Sequence, residues 1–379
     1  MTFHVVGLPH TQCTKEFVSC AYTQKVLKFC EMMTSLGHVV YHYGGEGSTA
    51  QAVKNIPIIT NEERQKWWGK NDTKKEFYAI EWDANLPYWK VANARAIAEI
   101  TSRIEPKDFI CLIGGNCQKP IADAFPNHMT VEFGIGYEGT FAKYRVFESY
   151  AWMHHVYGLQ GTRNGMNYDA VIPNYFEPDD FALEPKEDYY LYIGRLISRK
   201  GPHIAADVCK RLGVKLKVAG QGVIETSPGK IVAKEVTLEG EHIEYVGTVN
   251  VEERKHLMAK AKAVFVQTQY IGPFEGVAVE AMLSGTPVIT TDWGVFAETV
   301  QDGVNGFRVR TLGEAMWATK EAEKLDPKQI RTMALERYST DVLKYRYQDY
   351  FNQLLNLWGA GWYTEAYDPA DKRERGHFK

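Results

Sequence analysis

The sequence lacks the features that mark a metal site, a disulfide framework or a membrane protein. Its six cysteines are scattered and include no Cys-x-x-Cys pair, so reduced thiols are expected. No Asp-x-Asp motif is present. No apolar run approaches the ~20 residues that span a bilayer, and no basic segment with a cleavage site opens the chain. We therefore expect a cytoplasmic protein without a transmembrane segment.

Net charge and chain length narrow the possible classes of protein further. Lys and Arg number 44 against 47 Asp and Glu, which gives a formal net charge of -3. A general binder of nucleic-acid backbones carries a basic excess, so this balance speaks against that class. A hydrophobic content of 45% and a charged content of 24% are typical of soluble globular proteins. At 379 residues, two domains of about 150–200 residues are expected.

Short apolar runs alternate with helical patterns, which is typical of α/β layers built on parallel sheets. A candidate linker, V-I-P-N, lies at 171–174, and the pattern restarts after it. We predict two α/β domains, 1–175 and 176–340, that face a central cleft, and a third segment, 341–379, that holds a closing helix and a loose tail. Ligands bind at the carboxyl ends of parallel strands, so the cleft is the expected site. The predicted strands are 39–41, 109–113, 129–133, 189–193, 215–219, 263–267 and 287–291, and the clearest helices are 22–36, 202–212 and 341–357.

The most informative segment is Y-I-G-R-L-I-S-R-K-G at 192–201. A strand ends at Gly194, and a turn that carries Arg195, Arg199 and Lys200 follows it. Arginine grips two phosphate oxygens at once and lysine adds a point charge, so a diphosphate fits this strand end. A solvated basic turn explains the segment equally well when the segment is taken alone.

A second segment, G-P-F-E-G-V-A-V-E-A-M-L-S-G-T-P at 272–287, has the pattern of a Gly-rich turn that opens a short helix. The helix is expected to end at Gly285, and the first backbone N–H groups after Gly276 can meet an anion. Glu280 lies about one turn into the helix, where a carboxylate can accept hydrogen bonds from the two vicinal hydroxyls of a ribose. An exposed helix glutamate has the same sequence pattern.

Three further turns contain glycine. The first, A-G-Q-G at 219–222, follows a predicted strand, and the second, T-D-W-G-V-F-A-E at 291–298, joins a strand to a helix. The third, D-G-V-N-G at 302–306, is expected to be only a hairpin. Each signal is weak alone, but together they line up at the strand ends of one domain, as a nucleotide site requires.

In this order the motifs resemble the family 4 glycosyltransferases, which are retaining enzymes with the two-domain GT-B fold. The resemblance covers residues 185–310 and rests on G-R-L-x-x-x-K-G, A-G-x-G, V-G, P-F-x-G-x-x-x-E-A-M-x-x-G-x-P-V-I, G-x-x-x-E and D-G-x-N-G. It implies two Rossmann-like domains that face a central cleft. It also implies a transferase that moves a sugar from a nucleoside diphosphate donor with retention of configuration.

The resemblance assigns roles to individual residues. It implies that Arg195 and Lys200 neutralise the donor diphosphate and that Glu280 holds the ribose. The backbone from Gly294 to Glu298 would line the sugar-phosphate pocket, and the final helix would cross back to the first domain. The remaining donor-site positions are Gly194, Gly220 and Gly276.

The sequence departs from the family at one position of the helix motif. The family usually has a glutamate eight residues before Glu280, and this chain has Gly272 there. Glu275 stands where the family usually has glycine, and we expect its carboxylate to replace the missing one. Glu275 is therefore counted, with Arg195 and Lys200, among the catalytic residues. The alternative is that Glu275 faces solvent at the helix start, where it only suits the helix dipole.

The first domain departs more widely. Family members often carry a histidine at the strand end that faces the donor sugar, whereas this chain has V-E-F-G-I-G-Y-E-G at 131–139. Glu132, Tyr137 or Glu138 is expected to take its place.

Polar loops of the first domain are expected to approach the donor or the acceptor. They are 10–16 and 43–48, which follow the first two strands. His154 and His155 are adjacent on a helix and therefore point to different faces, which makes them a poor metal pair. At least one of them is expected in the core.

The expected reaction displaces a nucleoside diphosphate, with UDP as the reference, from the anomeric carbon. No cofactor and no metal is expected, because Arg195 and Lys200 would take the place of a divalent ion. The acceptor is not identified: a glycan, a lipid, a small molecule or, less readily, a modified nucleic acid. Other classes stay open, namely a nucleotide-sugar epimerase or another GT-B enzyme, and a non-catalytic nucleotide-sugar-binding protein. Product analysis with the donor alone separates the epimerase, and absence of hydrolysis or transfer separates the binding protein.

Overall fold

Two parallel β-sheets, one in each half of the chain, form the framework of the protein. The computed structural model describes residues 1–17, 20–69, 80–163, 165 and 168–357. The strands of the first sheet are β1 (Thr2–Val6), β2 (Val39–Gly45), β3 (Lys54–Ile59), β4 (Phe109–Leu112), β5 (Met129–Ile135), β6 (Tyr144–Phe147) and β7 (Ala170–Val171).

The first sheet has the order β3-β2-β1-β4-β5-β6-β7, and its strands pair in parallel. The order reverses between β1 and β4, which is the arrangement of a doubly wound Rossmann sheet. The two central strands, β1 and β4, are mostly apolar because helices cover both faces of the sheet. The helices of this half are α1 (Ala21–Ser35), α2 (Asn61–Trp68), α3 (Pro87–Thr101), α4 (Lys119–Ala124) and α5 (Tyr150–Leu159).

The second half repeats this topology. Its parallel strands are β8 (Tyr190–Ile193), β9 (Leu216–Ala219), β13 (Ile243–Gly247), β14 (Val264–Val266), β15 (Val288–Thr291) and β16 (Gly306–Val309). They pair in the order β13-β9-β8-β14-β15-β16, so the order reverses between β8 and β14. The helices are α6 (Pro202–Leu212), α7 (Val251–Lys260), α8 (Gly276–Leu283), α9 (Phe296–Thr299), α10 (Leu312–Ala322), α11 (Pro327–Tyr338) and α12 (Thr340–Leu357).

The chain segment that connects β9 to β13 forms a small antiparallel sheet, where the sequence showed no clear pattern. Its strands are β10 (Val223–Ser227), β11 (Lys230–Ala233) and β12 (Thr237–Glu239). Ile231 and Leu238 from this sheet are buried in the same core as Ala205 and Val208 of α6. The small sheet therefore covers α6 and supplies part of the second core.

Local signals explain why α6 agrees with its predicted bounds. Pro202 takes the first helical position, and Gly213 ends the helix in a left-handed conformation. The hairpin predicted at 302–306 is wrong. The strand that begins at Gly306 pairs in parallel with β15, so this segment is a turn that leads into the edge strand of the sheet.

Two chain crossings lie side by side at the hinge between the halves. The backbone N–H of Phe176 donates to Tyr338 O at 2.9 Å, and Thr340 N–H donates to Phe176 O at 3.0 Å. After the second crossing, α12 packs on the first half, where Phe351 lies 4.6 Å from Phe3 and 4.9 Å from Phe109 between ring centroids. The closing helix thus completes the core of the first half.

The expected tail, Tyr367–Lys379, lies outside the described residues. Within the described part of the chain, no helix combines the length and the apolar character that crossing a membrane requires.

We predict that Phe351→Ala lowers the free energy of unfolding by about 3–5 kcal/mol, because a fully buried ring is removed from the first core. Urea unfolding followed by tryptophan fluorescence measures the loss. The control is Gln353→Ala, an exposed position on the same helix, which should change stability by less than about 0.5 kcal/mol. Equal losses in the two variants would show that α12 is not part of this core.

Candidate active site

The candidate site lies where the strand order of the second sheet reverses. The turn 194–200 follows β8, and the loop 267–275 follows the neighbouring strand β14. The connections that follow these two adjacent strands run on opposite faces of the sheet, so a crevice opens at the carboxyl ends of the strands. The two segments that carry the strongest sequence motifs therefore meet at one point.

Lys200 is placed by a short 3-10 turn, 198–200, that packs against the end of β14. Gly201 follows with φ +69°, and a Cβ there would overlap the carbonyl oxygen of Gln267. Only glycine allows both the conformation and the close approach. Lys200 Nζ consequently reaches Glu275 Oε2 at 2.6 Å, with the two side chains 21% and 5% exposed.

Glu275 stands directly before α8 and has a left-handed backbone, with φ +59°. Its Oε2 also accepts from Thr268 Oγ1 at 3.1 Å. A Cβ placed on Gly272 would overlap Glu275 Oε1, so this carboxylate and a side chain at 272 exclude each other. The solvent-facing alternative for Glu275 does not hold, because its carboxylate is buried on the crevice side of the loop.

The other cations of the turn are more exposed than Lys200. Arg195 is exposed, and its guanidinium has no hydrogen-bond or ion-pair partner in the part of the chain that the structure describes. Arg199 and Lys200 both lie over the ring of Tyr270, at 4.5 and 5.1 Å from its centroid. The crevice thus presents an aromatic ring beside its positive charges.

Glu280 lies on α8 and is mostly buried. Arg254 of α7 holds it, with Nη1 at 3.0 Å from Glu280 Oε1. Lys28 of the first half lies close by: burial lowers the pKa of Lys28, while Asp180 and Glu280 act in the opposite direction. Sequence reasoning missed both Arg254 and Lys28, since each lies on another helix with no motif of its own.

The glycines of the predicted donor site lie around the crevice, and close packing requires one of them, Gly220. A Cβ on Gly220 would overlap the carbonyl oxygen of Gly194, so the ends of β8 and β9 meet through their backbones. Gly276 begins α8, and Gly294 lies in the turn after β15, beside Ile271. The structure brings these four positions to the carboxyl edge of one sheet.

The side chain of Glu298 is directed at the first half of the chain. Its oxygens accept from the backbone N–H groups of Tyr150 and Ala151, at 2.9 and 2.6 Å, at the start of α5. Ser149 Oγ, at the same helix end, donates to Pro273 O at 2.7 Å. The loop that carries Glu275 is therefore hydrogen-bonded to the first half through Pro273.

A cavity of about 750 Å³ lies behind this loop, at the hinge. Residues of both halves line it, among them Tyr150, Phe274, Glu298 and Arg346. Arg195, Lys200, Glu275 and Glu280 do not line this cavity.

The candidates for the missing histidine do not all face the cleft. Glu132 is fully buried and accepts from the N–H groups of Phe141 and Ala142 and from Tyr137 OH at 2.7–3.0 Å. Burial raises the pKa of Glu132 to about 7. Glu132 is therefore buried and occupied in holding the loop, which corrects the expectation for Glu132, whereas the expectation for Tyr137 stays a prediction. Glu138 is exposed and lies 3.5 Å from His155 Nε2.

Neither adjacent histidine belongs to the core, which corrects the expectation. His154 is exposed, and His155 is only partly buried, with its ring 4.7 Å from that of Trp152. Among the residues that the structure describes, no group of three His, Cys, Asp or Glu side chains is placed to hold a metal ion.

The polar loops 10–16 and 43–48 contact each other. Gln12 Nε2 donates to Glu46 O at 2.7 Å, and Cys13 N–H donates to Ser48 Oγ at 3.0 Å. A buried ion pair that the sequence did not reveal, Lys25 with Glu148, lies near the hinge. Burial lowers the pKa of Lys25 to about 7.

Comparisons with known proteins agree with this geometry. Residues 176–325 match the family model described as glycosyl transferases group 1. An uncharacterized glycosyltransferase of Methanocaldococcus jannaschii is 28% identical over 181 residues, which are 48% of this chain and 47% of that protein. The chain thus spans about half the length of the curated relative.

Solved structures resemble nearly the whole chain. A sucrose-phosphate synthase from Thermosynechococcus elongatus has a TM-score of 0.67 at 13% identity, over 94% of this chain and 99% of that one. HepE of Anabaena, in complex with UDP-glucose, has a TM-score of 0.58 at 14% identity, over 94% and 100%. The fold is therefore GT-B, with two Rossmann-like domains.

The packing of the Lys200 turn predicts unequal costs for two glycines that flank α6. Gly213→Ala should cost about 1 kcal/mol of unfolding free energy, because its left-handed conformation is strained but nothing lies within 4 Å of the added Cβ. Gly201→Ala should cost about 1–3 kcal/mol more, because its Cβ meets Gln267. Urea denaturation of both variants gives the comparison. Equal costs would mean that the turn is not packed against β14.

Proposed function

We propose that the protein transfers a sugar from a nucleoside diphosphate donor to an acceptor, with retention of configuration, because residues 176–325 match the family model of the glycosyl transferases group 1. The observation that carries the proposal is the contact of Lys200 with a buried carboxylate at the point where the strand order reverses. A diphosphate at that edge meets Lys200 and the unpaired guanidinium of Arg195.

The donor would lie along the carboxyl edge of the second sheet. Glu280 would accept hydrogen bonds from the two ribose hydroxyls, and Arg254 would keep its carboxylate in place. The diphosphate would replace Glu275 as the ion-pair partner of Lys200, and the Glu275 carboxylate would then accept hydrogen bonds from the hydroxyls of the sugar. The backbone after Gly294 would close the pocket around the phosphates. UDP is the nucleotide to test first, since a structure of similar fold holds UDP-glucose.

In the reaction, the bond from the anomeric carbon to the phosphate oxygen breaks, and its electron pair leaves with the nucleoside diphosphate. The acceptor oxygen bonds to the same face of that carbon and gives its proton to the leaving phosphate. Arg195 and Lys200 stabilise the negative charge that develops on the leaving group, which is the role a divalent ion serves elsewhere. The proposal therefore requires neither a protein nucleophile nor a metal.

We assign the acceptor to the first domain, where segment 10–16 follows β1 and segment 43–48 includes the end of β2 and the residues after it. We place the reaction in the cytoplasm, because all six cysteines are buried free thiols, as a reducing compartment maintains.

Arg195→Ala and Lys200→Ala should each lower turnover by roughly ten- to a thousand-fold, because a charge-assisted contact in the transition state contributes about 1.5–4 kcal/mol. Release of UDP from UDP-sugars measures the rate. Arg211→Ala, at the far end of α6, is the matched control and should keep its activity. Near-wild-type rates for both Arg195→Ala and Lys200→Ala would refute the diphosphate assignment.

Glu275→Gln and Glu280→Gln should differ in kind. Loss of the Glu280 carboxylate should weaken free UDP by roughly ten-fold, because the ribose loses its acceptor. Loss of the Glu275 carboxylate should weaken the intact donor and spare free UDP. Calorimetry with both ligands on both variants tests this.

The overlap between position 272 and the Glu275 carboxylate offers a stricter control. In Gly272→Glu with Glu275→Gly, a carboxylate returns to the same space from the other position. The double variant should regain donor affinity that Glu275→Gly alone loses. No recovery, together with unchanged donor affinity in Glu275→Gln, would remove Glu275 from the donor site.

A further inference from the structure

The first domain carries a continuous cluster of large aromatic side chains. Ring centroids lie 4.8 Å apart for Trp68 and Tyr88, 5.7 Å for Trp82 and Trp89, and 6.1 Å for Tyr22 and Trp82. Four of these five rings are at least partly buried against the first core, whereas Trp82 is 49% exposed. The cluster therefore ends in one indole face that is open to solvent.

Trp82 is held by its neighbours. Tyr88 OH and Trp89 Nε1 both donate to Glu81 O, each at 3.0 Å, and so fix the backbone before Trp82. On the other side, Asp83 Oδ1 accepts from Asn85 N–H at 2.9 Å. A side chain whose backbone is fixed on both sides loses less conformational entropy when a ligand stacks on it.

The cluster lies at the carboxyl edge of the first sheet. Tyr22 is in the first turn of α1, the next helix after β1, and its hydroxyl donates to Gly136 O, just after β5, at 2.9 Å. Ser149 leaves the same edge and reaches Pro273, in the loop that carries Glu275. Trp82 is thus on the side of the first domain from which the donor elements of the second are contacted.

Among the residues that the structure describes, the charged side chains that flank this ring in the chain are negative. Glu81 and Asp83, which flank Trp82, are exposed, and so is Glu138, next to Tyr137, whose ring lies 6.0 Å from that of Tyr22. The cation over the Tyr22 ring, Lys25, is buried and paired with Glu148. A phosphate-bearing acceptor would be repelled here, whereas the hydroxyls of a neutral sugar can donate to carboxylates.

We propose that Trp82 is the acceptor platform and that the acceptor is a neutral saccharide or glycoside whose ring stacks on the indole. The inference rests on the proposed transferase function and adds the acceptor class and the residue that selects it. Aromatic rings present a flat apolar face that suits the carbon-bound hydrogens of a sugar ring. The carboxylates around Trp82 would bind the hydroxyls at the rim of that ring.

The test measures UDP release from a UDP-sugar that the wild type hydrolyses slowly without acceptor. Methyl glycosides of neutral disaccharides should accelerate release, whereas a polyprenyl phosphate and a single-stranded oligonucleotide should not. Trp82→Ala should raise the KM for the saccharide by roughly ten-fold, the loss of about one stacking contact. It should leave acceptor-independent hydrolysis and the Kd for UDP unchanged, and Trp82→Phe should recover most of the affinity.

The control is Trp317→Ala, which removes an equally exposed indole from α10 of the second domain and should leave the saccharide KM unchanged. An unchanged KM in Trp82→Ala would overturn the inference. So would acceleration by the phosphate-bearing acceptors alone, or hydrolysis that no saccharide accelerates. A protein that neither binds nor hydrolyses any nucleotide sugar would overturn the proposed function itself, and the inference with it.

Discussion

The contact between Lys200 and Glu275 is the interaction around which the proposed donor site is organised. A largely buried ammonium group needs a counter-charge, and this carboxylate provides it at 2.6 Å. Two glycines make the contact possible: Gly201 lets the turn approach β14, and Gly272 leaves room for the carboxylate. The pair holds Lys200 in place, so the proposed binding of a diphosphate would exchange one negative partner of Lys200 for another.

The same loop couples the donor site to the first domain. Pro273 accepts from Ser149, and Glu298 accepts from two backbone N–H groups of α5, so both contacts cross from one domain to the other. The closing helix α12 also links the domains, because it follows the second domain in the chain and packs on the core of the first. A change in the angle between the domains would therefore act directly on Pro273, two residues before Glu275.

Local patterns in the sequence predicted the helix from Pro202, the parallel strands and the placement of Lys200 at a strand end. These depend on periodicity, on proline and on glycine, which act within a few residues. Partners that lie far apart in the chain left no such signal: Arg254 beside Glu280, and the backbone N–H groups of α5 that donate to Glu298. Glu132 shows the same limit, because the amide groups that bury its carboxylate come from a loop whose path the sequence does not reveal.

A crystal structure of the protein with UDP tests the central claim most directly. The account predicts diphosphate oxygens within hydrogen-bond distance of Lys200 Nζ and the Arg195 guanidinium, with the ribose hydroxyls on Glu280. It also predicts that Glu275 no longer contacts Lys200. UDP bound in the hinge cavity, or elsewhere with the Lys200–Glu275 contact intact, would contradict it.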